Sequence, residues 1–453
     1  MKKRCVKKVF FCILVSLMFI TFLLTFSALG CGRRALLKEN LKPEAELGQS
    51  QSTSGQSANE SEILEVESTS KETQTDSIEE KLGLHAKNST GDKKYIVILA
   101  DFPDVKRQYP VDASSYRMGT LLGPYFEEAS YGNLKLKGDV IGPYMLPNPV
   151  SYYSISPRNL EVDPGQIMSL VTDVINFADK DVDLDRYDYI IIGLGANQAD
   201  YGMVGLNALP GMLAFQTGEV YKSASGKTID NVSIFCENAH MGTFIHDTLH
   251  MIGGYIGDQR MLPCLYDHDL QMLYPTGDEA FNCLVNMGFW DPLSSHVPYD
   301  RKLPPAGLSS WTKIRLDWID PDKIALVKTG QTATVKLDPL LGQDASTYVI
   351  RIPITDKTYY LVENRQKIGF DANCPTTGIL VMYADDTVYE CRHGEAPVKI
   401  MDANTDVPYM NDATYDIGKK DRYIDTKNNV AIILLEKDGL SYQIQITPAD
   451  KAK

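Results

Sequence analysis

Apolar and polar positions change rhythm several times along this chain, and each change marks an element. Tyr95-Ile96-Val97-Ile98-Leu99-Ala100 is an unbroken apolar run stopped by Asp101-Phe102-Pro103-Asp104, which predicts a strand at the start of a folded region. A helical stretch is predicted around 116–129. Leu134-Lys135-Leu136-Lys137-Gly138-Asp139-Val140 then alternates as a half-buried strand does. Tyr189-Ile190-Ile191-Ile192-Gly193-Leu194-Gly195 is short and apolar almost throughout, which predicts a buried central strand. Strands alternating with helices predict an α/β domain over 94–320. Past Asp320 the helical signals fade and short strands recur over 332–337, 348–352, 378–383 and 441–446, predicting a smaller β-sandwich-like domain over 321–453.

The N-terminal part follows other rules. Lys2, Lys3, Arg4, Lys7 and Lys8 precede an uncharged, mostly apolar run over 9–29, the layout of an export signal. The run ends at Ala28-Leu29-Gly30-Cys31, which resembles a bacterial lipoprotein cleavage site and would make Cys31 the lipidated mature N-terminus. Left uncleaved, the same run is long enough to span about 30 Å of hydrocarbon as an N-terminal transmembrane anchor. Either way 1–31 is a signal or anchor, and the rest of the chain is expected on the extracellular face of the bacterial membrane. From 32 to 93 there is no aromatic residue, and Ser, Thr, Gln and Glu dominate. That composition cannot offset its own ordering entropy, so 32–93 is predicted to be a flexible stalk.

Composition changes this picture only by exclusion. With 43% hydrophobic and 23% charged residues, the chain matches neither a collagen-like, a wholly disordered nor a polytopic membrane protein. A net charge of -14 would repel a phosphate backbone, which excludes nucleic acid as the main partner. Of the 8 cysteines, Cys5, Cys12 and Cys31 belong to the signal. Cys236, Cys264, Cys283, Cys374 and Cys391 remain, an odd set too sparse for a disulfide scaffold and expected to leave at least one thiol free or metal-bound.

The candidate chemistry lies at His246-Asp247-Thr248-Leu249-His250. Two histidines four residues apart lie about 40° apart on a helix, so both imidazoles can reach one metal ion, while an acid beside the first can face the attacking water. The flanking Phe244, Ile245, Leu249 and Ile252 are apolar, and Gly253-Gly254 supplies a stop. The motif is that of a zincin helix with Asp247 in the place of the usual Glu.

With these residues on the page, the stretch 95–385 resembles the secreted zinc metallopeptidases of the immune inhibitor A family. The matching pieces are Ala100-Asp101-Phe102-Pro103-Asp104, Phe126-Glu127-Glu128-Ala129-Ser130-Tyr131-Gly132, Gly138-Asp139-Val140 and Leu146-Pro147. They continue with Asn286-Met287-Gly288-Phe289-Trp290-Asp291, which looks like a Met-containing turn beneath the zinc, and with Leu308-Ser309-Ser310-Trp311-Thr312-Lys313 through Trp318. Tyr360-Leu361-Val362-Glu363-Asn364-Arg365-Gln366, Gly369-Phe370-Asp371 and Gly378-Ile379-Leu380 close the series. The resemblance implies a zincin-like catalytic domain, Zn²⁺ as cofactor, and a protein or peptide substrate.

Three departures keep alternatives open. The family's third metal ligand, an Asp after Leu-Pro, is displaced by about eight extra residues following Gly253, which leaves Cys264 and Asp258 as equal candidates and Asp267 behind them. Asp247 is one methylene shorter than Glu, which puts its reach as a general base in question. The family's Asp-rich loop is represented by Asp179, Asp181, Asp183 and Asp185, which read as a solvated acidic turn or as a Ca²⁺ site. Two functions are therefore expected: a membrane-tethered zinc metalloendopeptidase using Asp247, or a protease-like binding protein without effective catalysis.

Overall fold

The structure, a computed structural model, describes residues 79–453 except 114–116, 209–220, 258, 274, 299–302 and 453. The expected signal or anchor with Cys31, most of the expected stalk, and Asp258 lie outside the described residues. Among the described residues no helix is long and apolar enough to cross a membrane.

The first sheet contains β1 (Gly91–Asp101), β2 (Leu134–Met145), β3 (Tyr189–Leu194), β4 (Gly205–Ala208) and β5 (Val232–Cys236) in the order β2-β1-β3-β5-β4. All neighbours are parallel except the β5–β4 edge pair, which is antiparallel. The unbroken apolar runs of β1 and β3 follow from this position, because both faces of the sheet are covered. Tyr95, Val97 and Leu99 face one hydrophobic core and Ile96, Ile98 and Ala100 face another. Helix α1 (Gly123–Ala129) contributes to the first core, as does α3 (Met241–Gly253). Helix α2 (Pro164–Ala178) packs Ile167, Leu170, Val171, Val174 and Ile175 into the second. Asp163 caps α2 by accepting from the Gly165 amide, with Pro164 at the first helical position.

Beyond 320 the strands form two sheets. One has five strands, including Val349–Pro353, Thr358–Arg365 and Gly378–Asp385; the other has four, including Val430–Asp438 and Ser441–Thr447. Ile350, Tyr360, Val362, Ile379 and Val381 of the first share a core with Ile432, Leu434, Ile444 and Ile446 of the second. The alternate residues Val349, Tyr359, Leu361, Leu380 and Met382 point the other way, into the same core as α3 and Trp311.

The strands past 320 thus have a core of their own between their two sheets and also contribute to the core that holds α3. The folded region starts before 94, which corrects the expected boundary there. Leu82 and Ala86 are buried, the Ala86 amide donates to the Arg315 carbonyl, and Trp318 Nε1 donates to the Ser89 carbonyl at 2.9 Å. The Ser- and Glu-rich average over 32–93 hides the few apolar residues near its end that dock onto the core.

Candidate metal centre

Helix α3 is enclosed: every residue from Gly242 to Gly253 is buried, including the polar Thr243, His246, Asp247, Thr248 and His250. His240 caps it by accepting from the Gly242 amide at 3.0 Å, and the helix ends where Gly254 takes a positive φ of 64°. Gly242 is required by contact, because a Cβ there would stand 1.8 Å from the His296 carbonyl oxygen. Ser233 on β5 donates its hydroxyl to the Asp247 carbonyl at 3.0 Å, tying the helix to the sheet.

His246 and His250 come together with Cys264 in a buried group whose donor atoms all lie within 4.8 Å of one another. The Nε2 atoms of the two histidines are 2.9 Å apart, and Cys264 Sγ lies 3.6 Å from His246 Nε2 and 3.5 Å from His250 Nε2. The sulfur–nitrogen separations suit a tetrahedral Zn²⁺, whose bonds of about 2.0–2.1 Å to N and about 2.3 Å to S separate such donors by roughly 3.6 Å. The nitrogen pair is closer than the roughly 3.3 Å of the same geometry.

Proton accounting supports a cation more strongly than distance does. His246 Nδ1 donates to the Pro292 carbonyl at 2.9 Å and His250 Nδ1 to the Leu262 carbonyl at 2.6 Å. Carbonyl oxygens only accept, so each Nδ1 carries the proton and each Nε2 offers a lone pair. Burial, aided by nearby positive charge, holds both imidazoles well below their usual pKa and therefore neutral. Two lone pairs thus face each other, and the single proton of the Cys264 thiol can satisfy only one of them. A metal ion satisfies all three donors, and the residues present fit Zn²⁺.

The structure thus favours one of the sequence-level candidates for third ligand. Cys264 joins the group, Asp258 lies outside the described residues, and Asp267 is used elsewhere, capping the turn 268–270 by accepting from the Asp269 amide at 2.9 Å. The eight-residue insertion is a two-stranded hairpin, Tyr255–Ile256 with Gln259–Arg260. It carries Arg260 into the site, where Nη2 donates to the Asn207 carbonyl at 2.9 Å and Nη1 lies 3.8 Å from Cys264 Sγ. Burial raises the pKa of the Cys264 thiol, and Arg260 opposes that shift.

A cavity of about 360 Å³ opens beside the donors and is lined by His246, Asp247, Cys264, Arg260 and Tyr266 among others. Asp247 is fully buried, its Oδ2 has no hydrogen-bond partner, and burial pushes its carboxyl up to about 8. Gly205 leaves room for it, since a Cβ there would sit 2.7 Å from Asp247 Oδ2.

His296 was not singled out by sequence spacing, yet its ring centroid lies 3.8 Å from that of His246. Its Nε2 is buried without a partner, and burial lowers its pKa to about 4. It stands 46 residues after His250, a separation that carries no motif. Of the other histidines, His240 caps α3 and His268 Nδ1 meets Asn159 Nδ2 at 3.3 Å.

The acidic run disperses its carboxylates. Asp179 accepts from Ser225, Asp181 from the Tyr144 hydroxyl at 2.7 Å, and Asp185 pairs with Lys227 at 2.7 Å. Among the described residues it forms no clustered metal site, so the Ca²⁺ expectation gains no support. No family model matches the chain, and no curated protein matches it.

Proposed function

We propose that this protein is a zinc-dependent metalloendopeptidase acting on protein or peptide substrates. The observation that carries this reading is the convergence of His246, His250 and Cys264 beside a cavity that His246, Cys264 and Asp247 line. Three protein donors beside a cavity would leave a coordination position open, which distinguishes catalytic from structural zinc sites. Bound there, Zn²⁺ would supply Lewis acidity for the scissile carbonyl and for water. The chain supplies the rest. Pro292 and Leu262 carbonyls orient the imidazoles, and Asp247 would take the proton of the attacking water. The resemblance to the immune inhibitor A family points the same way, with Cys264 replacing the family's Asp ligand. On this reading the basic and apolar N-terminus holds the enzyme at the extracellular face of the membrane, through lipidated Cys31 or an uncleaved anchor.

A protease-like binding protein is the second reading, favoured by a carboxyl pushed up to about 8 where a base is needed. Elemental analysis of the purified full chain, beside His246→Ala and Cys264→Ser, tests the metal centre, and casein hydrolysis tests the activity. One zinc per chain with hydrolysis supports the enzyme, and zinc without hydrolysis selects the binding protein. Folded protein without zinc overturns the enzyme and leaves the binding protein. The full chain is needed because truncation at Lys94 would remove the docked residues Leu82 and Ala86.

A further inference from the structure

Arg260 carries a fixed positive charge into the interior. It is 5% exposed and lines the cavity beside the donors. Its Nη2 donates to the Asn207 carbonyl and its Nη1 meets the Cys264 sulfur, neither of them a carboxylate, and its Nε is buried with no partner. A buried guanidinium is costly unless an anion pairs with it. A divalent ion at His246, His250 and Cys264 would outweigh the charge of the Cys264 thiolate, so that positive charge stays in excess even with Asp247 ionised. Asn207, Ser294 and His296 line the same cavity, and Asn207 Oδ1, Ser294 Oγ and His296 Nε2 are likewise buried without partners. Native interiors leave few polar groups unsatisfied, so several around one cavity point to a polar occupant, and the surplus charge points to an anion.

We propose that Arg260 recognises a carboxylate, and that the centre therefore removes residues from the free C-terminus of peptides as well as cutting within them. The inference rests on the metal reading above and adds a substrate class. The planar fork of an arginine matches a carboxylate through two parallel hydrogen bonds. A free C-terminus sets its carboxylate one residue, about 3.8 Å, beyond the last peptide carbonyl. With Nη1 3.8 Å from the sulfur of the third donor, the guanidinium stands at that reach from the metal group. Hydrolysis there breaks the last peptide C–N bond, adds the oxygen of water to the carbonyl carbon, passes a proton to the departing nitrogen and releases one amino acid. Arg260 arrives on the hairpin inserted after α3, so this recognition belongs to the insertion.

The test uses the zinc-loaded full chain, with N-acetylphenylalanine and N-acetylphenylalaninamide as probes that differ only in the terminal charge. Calorimetry is expected to give roughly tenfold or tighter binding for the acid, and Arg260→Gln that still holds zinc is expected to lose that preference. Equal affinities in the wild type overturn the proposal, as does a preference unchanged in Arg260→Gln, which would mean that the metal alone holds the carboxylate. Mass spectrometry of one synthetic peptide, with its C-terminus free or amidated, needs only the wild type and decides the matter if Arg260→Gln does not fold. Shortening of the free form alone, residue by residue from that end, is the expected result, and shortening of both forms or of neither overturns it. These failures leave the metal centre standing, whereas a chain that takes up no zinc overturns the proposal together with the metal reading.

Discussion

Asp247 and His246 are neighbours on one helix, yet they face different demands: the histidine commits its Nδ1 proton to the Pro292 carbonyl, while the Asp247 Oδ2 is buried with no partner. An unpartnered buried carboxyl costs stability unless a site uses it. Asp247→Asn is therefore expected to retain zinc and lower kcat about 10²- to 10⁴-fold, the usual contribution of a general base. Unchanged kcat would remove Asp247 from the mechanism. Cys264→Ala is expected to behave oppositely, losing zinc as well as activity, since a donor rather than a proton acceptor is removed. The pair His246 and His250 was legible in the sequence because a helix repeats its face every four residues. Cys264 was legible only as one of several candidates, because its approach depends on the course of a hairpin. His296 was illegible, since a long loop returns it to the site at a spacing no period describes.

The helix that bears the donors works because its neighbours are close. At Gly242 the backbone of residue 296 passes where a side chain would stand, so Gly242→Ala forces either α3 or the His296 segment to move. The expected cost is about 1–3 kcal/mol, read as a lowered urea midpoint, together with weakened zinc affinity as His246 shifts with the helix. A variant of wild-type stability would mean that the contact yields freely. At this scale the sequence was informative where an element is buried on both faces or ends at glycine, as for β1, β3 and α3. It was uninformative for β4, a four-residue edge strand with a single partner, whose Leu206 and Ala208 carry too little pattern to read. The hairpin of Tyr255–Ile256 and Gln259–Arg260 registered only as inserted length, yet it supplies the cation beside Cys264.

Among the described residues, the strands past 320 meet the loops beneath α3 in a buried charged network. Arg365 pairs with Glu363 at 3.0 Å and with Asp371, and donates to the carbonyls of Trp290 and Gly307, while Glu363 accepts from the Ser310 amide at 2.6 Å. These residues were visible in the sequence as the Glu363-Asn364-Arg365 and Gly369-Phe370-Asp371 pieces. That they close a buried network was not, because it joins segments far apart in the chain. Lys313 lies beside this network, fully buried, donating to the Ala129 carbonyl with its ammonium 4.2 Å from the Tyr131 ring. Burial lowers its pKa to about 7, with Arg365 pushing the same way and Asp371 and Glu363 opposing. Unfolded, the same lysine titrates near its ordinary value of about 10.4. Between these two pH values the unfolded chain binds more protons than the folded one, so stability rises with pH across that window. Relative to Lys313→Met, the wild type is expected to gain about 2 kcal/mol between pH 7 and pH 9, at up to about 1.4 kcal/mol per pH unit. Urea unfolding of both proteins at pH 7, 8 and 9 measures the difference directly, cancelling every group the two share. Parallel curves would place the lysine's folded pKa near its ordinary value, with the charge retained and stabilised by Asp371, Glu363 and the Tyr131 ring.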